Sequence, residues 1–251
     1  APRIAPMAFA SAAVQHGGRI LTHHEVTGIT VLGDGTYQVA AAVEDFRADK
    51  VVLATGAWCG PLGEMLGIRI PIIPVRGQMW ATGVLPPRVF HTLSASESPL
   101  QWHQELGSSS ESPPELTHDG ETRTTRHLYG RQTQAGEIIF GGDRQVSGYD
   151  LNIDAEGIEV NRGHAVEVMP FLKDIPISRT WAGTMPFSQD GPPIIGKIPQ
   201  LDNLYIVSGM ASSGFGRGPM AGKLLADYIH TGHRPQVLSE SDPARCVTDV
   251  E

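Results

Sequence analysis

Residues 203–231 read NLYIVSGMASSGFGRGPMAGKLLADYIHT, and this stretch decides the fold. Its first part is an apolar, β-branched run typical of a buried strand. A glycine-rich turn follows, and from Met220 the apolar residues recur with a helical period until Gly232 ends the helix. A strand, a glycine turn and a helix in this order direct backbone N–H groups and the positive end of the helix dipole at a ligand.

Two common nucleotide-binding motifs do not account for this turn. Gly209 and Gly214 fit the first half of GxxxxGK[ST], but Phe215 stands where the phosphate-binding lysine belongs. The spacing of Gly214, Gly216 and Gly218 does not fit GxGxxG, and no acidic residue follows at the distance that a ribose requires. A glycine-rich helix start without any ligand therefore stays open as an alternative.

The earlier part of the chain predicts a mixed α/β (α+β) fold. An alanine-rich helix is expected over 7–17, and a hairpin around the Gly-Asp-Gly turn at 33–35. The short apolar run 50–54 is typical of a strand that is buried on both faces of a parallel sheet. A short helix is expected over 62–66.

The middle of the chain predicts further strands and a helix. Strands are expected over 71–80, 127–131 and 137–142, and a helix over 155–172. Residues 94–125 are rich in Ser, Glu, Pro, Thr and Gly, which predicts a flexible insertion.

Composition restricts the class of protein. The chain has 251 residues, of which 40% are hydrophobic, and a net charge of -8, which argues against nucleic acid and anionic membranes as partners. No apolar run approaches the length of a membrane span. Cys59 and Cys246 lie far apart, and the ten histidines show no metal-binding spacing, so we expect neither a disulfide framework nor a metal site. An intracellular, soluble protein is expected.

Several motifs in a fixed order resemble the family of D-amino-acid oxidase, glycine oxidase and sarcosine oxidase. The pattern W-x-G-x-x-P, D-x-x-P-x-I-G, strand, G-x-x-x-x-G-F is matched by Trp181, Gly183, Pro186, Asp190, Pro193, Ile195, Gly196, Gly209, Gly214 and Phe215. Upstream, Ala54-Thr55-Gly56 resembles the family's ATG segment and Pro74-Val-Arg-Gly its P-V-R-G strand. Asp242-Pro-Ala-Arg245 resembles a frequent family terminus.

The resemblance implies an FAD-binding Rossmann-like domain with an inserted antiparallel β-sheet domain for substrate. We expect FAD-binding parts at 1–73 and 177–251, and the substrate domain at 74–176. The residues implied to contact a non-covalently bound FAD are Val26, Ala54, Thr55, Gly56, Trp58, Gly209, Met210, Ser212, Ser213, Gly214 and Phe215. For Val26, a buried strand position without a ligand is an equal alternative. Amides of the glycine turn would face the flavin edge that becomes negative on reduction.

The substrate implied by the resemblance is a small amine or amino acid, oxidised at a C–N bond by hydride transfer to flavin N5. Amino-acid oxidases of the family often carry an arginine in W-x-G-x-R-P, where this chain has Met185, which cannot bind a carboxylate. Arg131 and Arg144 are candidate replacements, although either could be an ordinary surface arginine. Tyr129 is a candidate lining residue.

The GxGxxG unit that opens family members is not found before the helix at 7–17. A missing N-terminal segment or a partner chain is therefore expected to supply the FAD pyrophosphate site, and the chain alone is expected to bind FAD poorly. A catalytically inert subunit that keeps the flavoprotein fold and serves in binding or assembly is the alternative function.

Overall fold

A computed structural model of the chain describes residues 4–94 and 128–250. The chain forms two compact units. Unit 1 comprises the described residues of Ala1–Thr55, Cys59–Ile70 and Ile194–Glu251; unit 2 comprises those of Gly56–Trp58 and Pro71–Pro193. Apart from Ser94, the expected insertion at 94–125 lies outside the described residues.

Unit 1 begins with helix α1 (Ile4–Gln15), which stops where Gly17 turns into the left-handed region at φ 88°. A three-stranded antiparallel sheet follows, formed by β1 (Val26–Val31), β2 (Tyr37–Ala41) and β3 (Phe46–Ala48). The predicted hairpin turn is confirmed, because Gly35 has φ 80° and Asp34 accepts hydrogen bonds from Thr36.

The second sheet of unit 1 has the order β11–β12–β4, with β4 (Val51–Leu53), β11 (Ile194–Lys197) and β12 (Leu204–Ser208). β12 runs parallel to β4 and antiparallel to β11, so the parallel strand predicted from the run 50–54 is confirmed. Helix α2 (Cys59–Met65) and a pair of short strands, β5 (Ile68–Arg69) and β13 (Thr248–Asp249), complete this part.

The predicted C-terminal helix of unit 1, α4 (Gly214–Thr231), begins six residues earlier than Met220 and includes much of the glycine-rich stretch. Its buried side packs Ala221 and Leu225 against Ile195 and Tyr205 of the sheet. Gly232 closes it with φ 73°. Gly196 on β11 has φ 150°, and an added Cβ would meet the Pro243 ring at 2.9 Å, so the glycine of the I-G pair permits this close approach.

Unit 2 contains a five-stranded antiparallel sheet with the order β10–β6–β9–β8–β7. Its strands are β6 (Ile72–Val84), β7 (Leu93–Ser94), β8 (Tyr129–Gln132), β9 (Glu137–Gln145) and β10 (Ile177–Ser188). β10 pairs with β6 along almost its whole length, so residues 177–193 group with this unit. The predicted strands and the antiparallel sheet that the resemblance implies are thereby confirmed.

Helix α3 (Ala155–Val168) covers one side of this sheet. It ends at Val168, earlier than the predicted 172, because Pro170 begins a separate 3-10 turn (Pro170–Asp174). The covered side, which we call the helix face, carries Arg76, Gln78, Trp80 and Thr82 of β6, and it contributes to the core formed with Phe140, Ile138, Ile158 and Leu172.

The opposite side of the sheet, which we call the glycine face, carries Val75, Gly77, Met79 and Ala81 of β6. A β-bulge interrupts β9 here, because Gln78 pairs with Asp143 but Met79 pairs with Gly141, which leaves Gly142 as an extra residue with φ 125°. The bulge places Gly141 and Arg144, three residues apart, on the same face.

Candidate functional site

In unit 1, most of the predicted cofactor residues lie at the carboxyl ends of the two parallel strands, or in the turn that follows them. Ala54 and Thr55 follow β4, and Gly209 and Met210 follow β12; Leu53 is the register partner of Ile206, so the two strand ends lie side by side. Ala54 and Thr55 are exposed there. Ligands of α/β proteins bind at this edge of the sheet, outside the carboxyl ends of parallel strands.

The glycine turn leaves the start of α4 without a side-chain cap. Gly209 has φ 74° and Ala211 φ 49°, which folds the chain back sharply after β12. The Ser213 hydroxyl donates to the Met210 carbonyl oxygen at 2.7 Å, and the Ser213 N–H donates to the same oxygen at 2.9 Å. Ser213 is therefore engaged inside the turn, whereas the first N–H groups of an uncapped helix need an outside acceptor.

The predicted cofactor residues of this turn differ in what they present. Met210 is buried in the core of unit 1, so only its backbone could reach a ligand. Ser212 is exposed, and the ring of Phe215 is 66% exposed. Val26 is the first residue of β1 in the other sheet of unit 1 and is half-buried, paired with Ala41.

Gly56 and Trp58 belong to a 3-10 turn that packs against β6 and β10 within unit 2. Gly56 has φ 57°, and nothing lies within 4 Å of an added Cβ, so there is open space beside its backbone. Trp58 stacks on Tyr149 with ring centroids 5.4 Å apart, and the Tyr149 hydroxyl donates to the Ala57 carbonyl oxygen at 3.0 Å.

The four predicted substrate residues of unit 2 all lie on its glycine face. Strand register arranges this face in rows: Met185 is beside Val75, Gly183 is beside Gly77, and Gly77 is beside Arg144. The next row contains Trp181, Met79, Gly141 and Tyr129, and the row after that contains Arg179, Ala81, Ile139 and Arg131.

Glycines leave open space on this face, which we call the hollow, and methionines fill part of it. A Cβ added to Gly183 would meet nothing within 4 Å, whereas one added to Gly77 would meet the Met185 methyl group. Met79 covers Gly141 in the same way. Sequence reasoning missed Met79 and the glycine row, because only strand register brings them together.

Arg144 and Arg131 differ in their relation to Met185. The Arg144 guanidinium lies 5.7 Å from the ring centroid of Phe187, which is two residues from Met185 on β10 and on the same face. The cation thus extends from β9 toward β10, the strand that carries Met185. Arg131 is exposed and lies at the far side, two rows from Gly77.

Tyr129 lies close to both arginines. Its hydroxyl donates to Met79 Sδ at 2.8 Å, so the polar end of the ring is shielded although the residue is 46% exposed. Burial raises the pKa of the Tyr129 hydroxyl, and the positive charges of Arg144 and Arg131 offset part of that rise. Tyr129 is therefore a neutral hydroxyl at physiological pH.

Neither a metal cluster nor a membrane helix is found within 4–94 and 128–250. No group of three or more His, Cys, Asp or Glu side chains there is arranged to hold a metal ion. No helix in these residues has the length and apolarity required to cross a bilayer.

A family model described as FAD dependent oxidoreductase (DAO) matches residues 2–228. The chain belongs to the DAO family of FAD-dependent oxidoreductases. The match confirms the resemblance and the expectation of FAD as the family's cofactor. Within unit 1, the uncapped helix start and the exposed small residues Ala54 and Thr55 fit the backbone approach that a flavin requires.

Individual members of the DAO family are similar over most of this chain. Glycine oxidase of Pseudomonas aeruginosa is 31% identical over 224 residues, which cover 88% of this chain and 51% of that protein. Mitochondrial dimethylglycine dehydrogenase of Mus musculus is 27% identical over 248 residues, 95% of this chain and 27% of that protein. The chain thus spans 51% of the glycine oxidase and 27% of the dimethylglycine dehydrogenase.

Two solved structures share the fold. Glycine oxidase from Geobacillus kaustophilus superposes with a TM-score of 0.77 at 21% identity, covering 95% of this chain and 56% of that one. L-proline dehydrogenase from P. horikoshii superposes with a TM-score of 0.75 at 28% identity, covering 96% and 58%. The predicted mixed α/β fold class is confirmed.

Proposed function

We propose that this DAO-family chain takes part in the FAD-dependent oxidation of a C–N bond in a small amino acid or related amine. Membership in a family of FAD-dependent oxidoreductases supports the reaction class. Relatives named for glycine and dimethylglycine support a small amino acid as substrate. When bound, FAD supplies the acceptor for a hydride from the carbon beside nitrogen, and the resulting imine is hydrolysed by water.

In this proposal, the amides at the start of α4 face the flavin, which is held non-covalently. Gly214 is the first residue of that helix, and the positive end of the helix dipole favours the negative charge that a reduced flavin carries. Ala54, Thr55 and Gly209 are small or glycine residues, which lets backbone approach the cofactor closely. The same features would serve a flavin in an inert subunit, so they do not by themselves support turnover.

The observation that carries the proposal is the position of Arg144 on the glycine face. Its guanidinium lies near Phe187, two residues from Met185, so a cation lies beside the position where the family pattern often has an arginine. An arginine can bind a carboxylate through two parallel hydrogen bonds. We therefore assign the substrate carboxylate to Arg144, and the hollow above Gly183 to the substrate's small carbon skeleton.

Tyr129, Met79 and Trp181 would complete the substrate hollow. A neutral Tyr129 hydroxyl can donate to a substrate oxygen without bringing a negative charge near the carboxylate. The Met79 thioether and the Trp181 ring offer apolar surface for the substrate's carbon atoms. Arg179 lies over the Trp181 ring at 4.4 Å and pairs with Glu137, so it is held away from this role.

The test uses the protein as its native host makes it, purified without added flavin. We expect a yellow protein whose flavin is released into solution by acid precipitation. Under anaerobic conditions, glycine, sarcosine, dimethylglycine and D- and L-amino acids are added singly, and flavin absorbance near 450 nm is followed. At least one should bleach the flavin faster than the matched amine without a carboxylate.

A colourless protein that takes up no FAD would overturn the proposal. Flavin that dithionite reduces but no amino acid or amine on the panel reduces would instead support the inert subunit. Flavin that stays on the precipitated polypeptide would contradict only the non-covalent mode of binding, and not the proposed reaction.

A further inference from the structure

Arg144 lies in a weak part of its strand. It is the last residue but one of β9, and the bulge at Gly142 lies two residues before it. A bulge removes regular ladder bonds, and strand ends fray. A side chain projecting from this short piece of strand needs another source of rigidity if it is to hold a ligand in a fixed place.

The two residues beside Arg144 supply that rigidity from the opposite face. Side chains alternate along a strand, so Asp143 and Gln145 point to the helix face while Arg144 points to the glycine face. Gln78 donates from Nε2 to Asp143 Oδ2 at 2.6 Å, and Arg76 donates from Nε to Gln145 Oε1 at 3.0 Å. Each neighbour of Arg144 is therefore hydrogen-bonded to strand β6.

Arg76 is a buried cation with acceptors on two sides. It is 7% exposed, and besides Gln145 it donates from Nη1 to the Asn152 carbonyl oxygen at 2.6 Å and to Asp150 Oδ2 at 3.2 Å. These contacts fix the segment that leads from β9 to α3. Breaking a buried, paired charge is costly, so the arrangement resists displacement.

The hydrogen bonds close into a ring through the start of α3. Gln145 donates to the Asp154 carboxylate, which caps α3 by accepting from the N–H groups of Glu156 and Gly157. The Asp154 N–H in turn donates to Gln78 Oε1 at 2.7 Å. The ring therefore joins β6, β9 and the start of α3, and it closes only when residues 143–145 keep this register.

We infer that Arg76 and Gln145 are positioning residues that hold Arg144 in place for the substrate carboxylate. This inference rests on the proposed function, because it gives Arg144 a ligand. Neither residue touches the substrate; both act through the peptide segment that carries Arg144. Arg76, the arginine of the P-V-R-G strand, thus lies on the helix face and supports a binding site on the opposite, glycine face.

The test compares Gln145→Met with Thr82→Val in the native protein. Gln145→Met keeps the shape of the side chain but removes the acceptor for Arg76. Thr82→Val is the matched control, since Thr82 is a buried polar residue of the helix face that donates to Gly83 and accepts from Ile138, away from Arg144. Benzoate is the probe, its dissociation constant is read from the flavin difference spectrum, and benzamide is its uncharged counterpart.

We expect Gln145→Met to weaken benzoate binding by roughly tenfold, with benzamide binding and flavin content unchanged, because only the guanidinium has moved. Thr82→Val should lower the unfolding temperature without changing the benzoate-to-benzamide ratio. If Arg144→Met abolishes the preference for benzoate over benzamide while Gln145→Met retains it, Gln145 does not position Arg144. Arg144 would then still be the residue that binds the carboxylate. If Arg144→Met binds benzoate as the wild type does, or the wild type does not bind it, the anchor itself is wrong.

Discussion

The methyl group of Met185 lies over Gly77, so that a Cβ built on this glycine would come within 2.9 Å of the Met185 Cε atom. The two residues are on neighbouring strands of the glycine face. The residue that replaces the family's arginine therefore turns its side chain over the sheet and fills the space that the glycine leaves. This relation, together with Arg144 beside Gly77, gives the hollow its shape.

Replacing Gly77 by alanine should change substrate binding more than stability. The new methyl group displaces the flexible end of Met185, which adapts at a cost below about 1 kcal/mol in the free energy of unfolding. The displaced thioether then occupies the hollow, and the KM for the best amino acid on the panel should rise severalfold. Urea denaturation and steady-state kinetics measure the two effects; the double variant Gly77→Ala/Met185→Ala should restore the KM, and failure to do so would refute this cause.

Replacing Arg144 by methionine should raise the KM for an amino acid by about 10- to 100-fold, the loss expected for hydrogen bonds to a charged group. The matched amine without a carboxylate should be unaffected. Steady-state kinetics on both compounds give the ratio. Equal losses on the two compounds would contradict a carboxylate role.

Adding Met185→Arg to Arg144→Met should return much of the lost affinity, because it restores the family's arginine on the neighbouring strand of the same face. The KM for the amino acid should fall from the single-variant value by about tenfold or more. A double variant no better than Arg144→Met would indicate that a cation at position 185 cannot reach the carboxylate.

Tyr129 should stay neutral as the pH rises through the range where a free tyrosine ionises, near 10. Its raised pKa means that the folded state binds the proton more tightly than the unfolded state, so the free energy of unfolding falls as the pH rises above the unfolded value. The absorbance titration at 295 nm of the wild type minus that of Tyr129→Phe should have its midpoint above 10. A midpoint at or below 10 would contradict the shielding by Met79.

Replacing Gly196 by alanine should lower the free energy of unfolding by about 2 kcal/mol or more, because the left-handed backbone is strained and the new Cβ meets Pro243. Gly222 on α4 is the control: nothing lies within 4 Å of an added Cβ, and alanine is favoured over glycine in a helix by about 1 kcal/mol. Urea denaturation should therefore move in opposite directions for the two variants. A stable Gly196→Ala protein would contradict the close approach of Pro243.

Local sequence predicted the elements of this fold well where one signal dominated. The apolar run ending at Leu53 indicated a parallel strand, and the Gly-Asp-Gly turn indicated a hairpin, because burial and turn chemistry are written in neighbouring residues. The predicted start of α4 is too late, because glycines lower the helix propensity of the preceding turn. Tertiary packing of Ala221 and Leu225, and not propensity, decides whether this helix forms.

The site was less predictable, because it depends on pairing between distant strands. Tyr129, Arg144 and Met185 could each be named from type and motif, but nothing in the sequence shows that they share one face. The Gly77–Arg144 pairing joins residues 67 positions apart, and the bulge that permits it appears only as one more glycine in Gly141-Gly142. The partners of Arg76 are likewise dispersed along the chain, from Gln145 to Asn152.

The extra residue Gly142 affects how β9 aligns with the corresponding strand of homologous proteins. Loss of that single codon would return β9 to strict alternation and leave Arg144 on the glycine face, because Asp143 and Arg144 would then follow Gly141 directly. A homologue without the extra residue would therefore carry the same cation two residues after the equivalent of Gly141, and not three. Alignments that ignore the bulge would compare residues from opposite sides of the sheet.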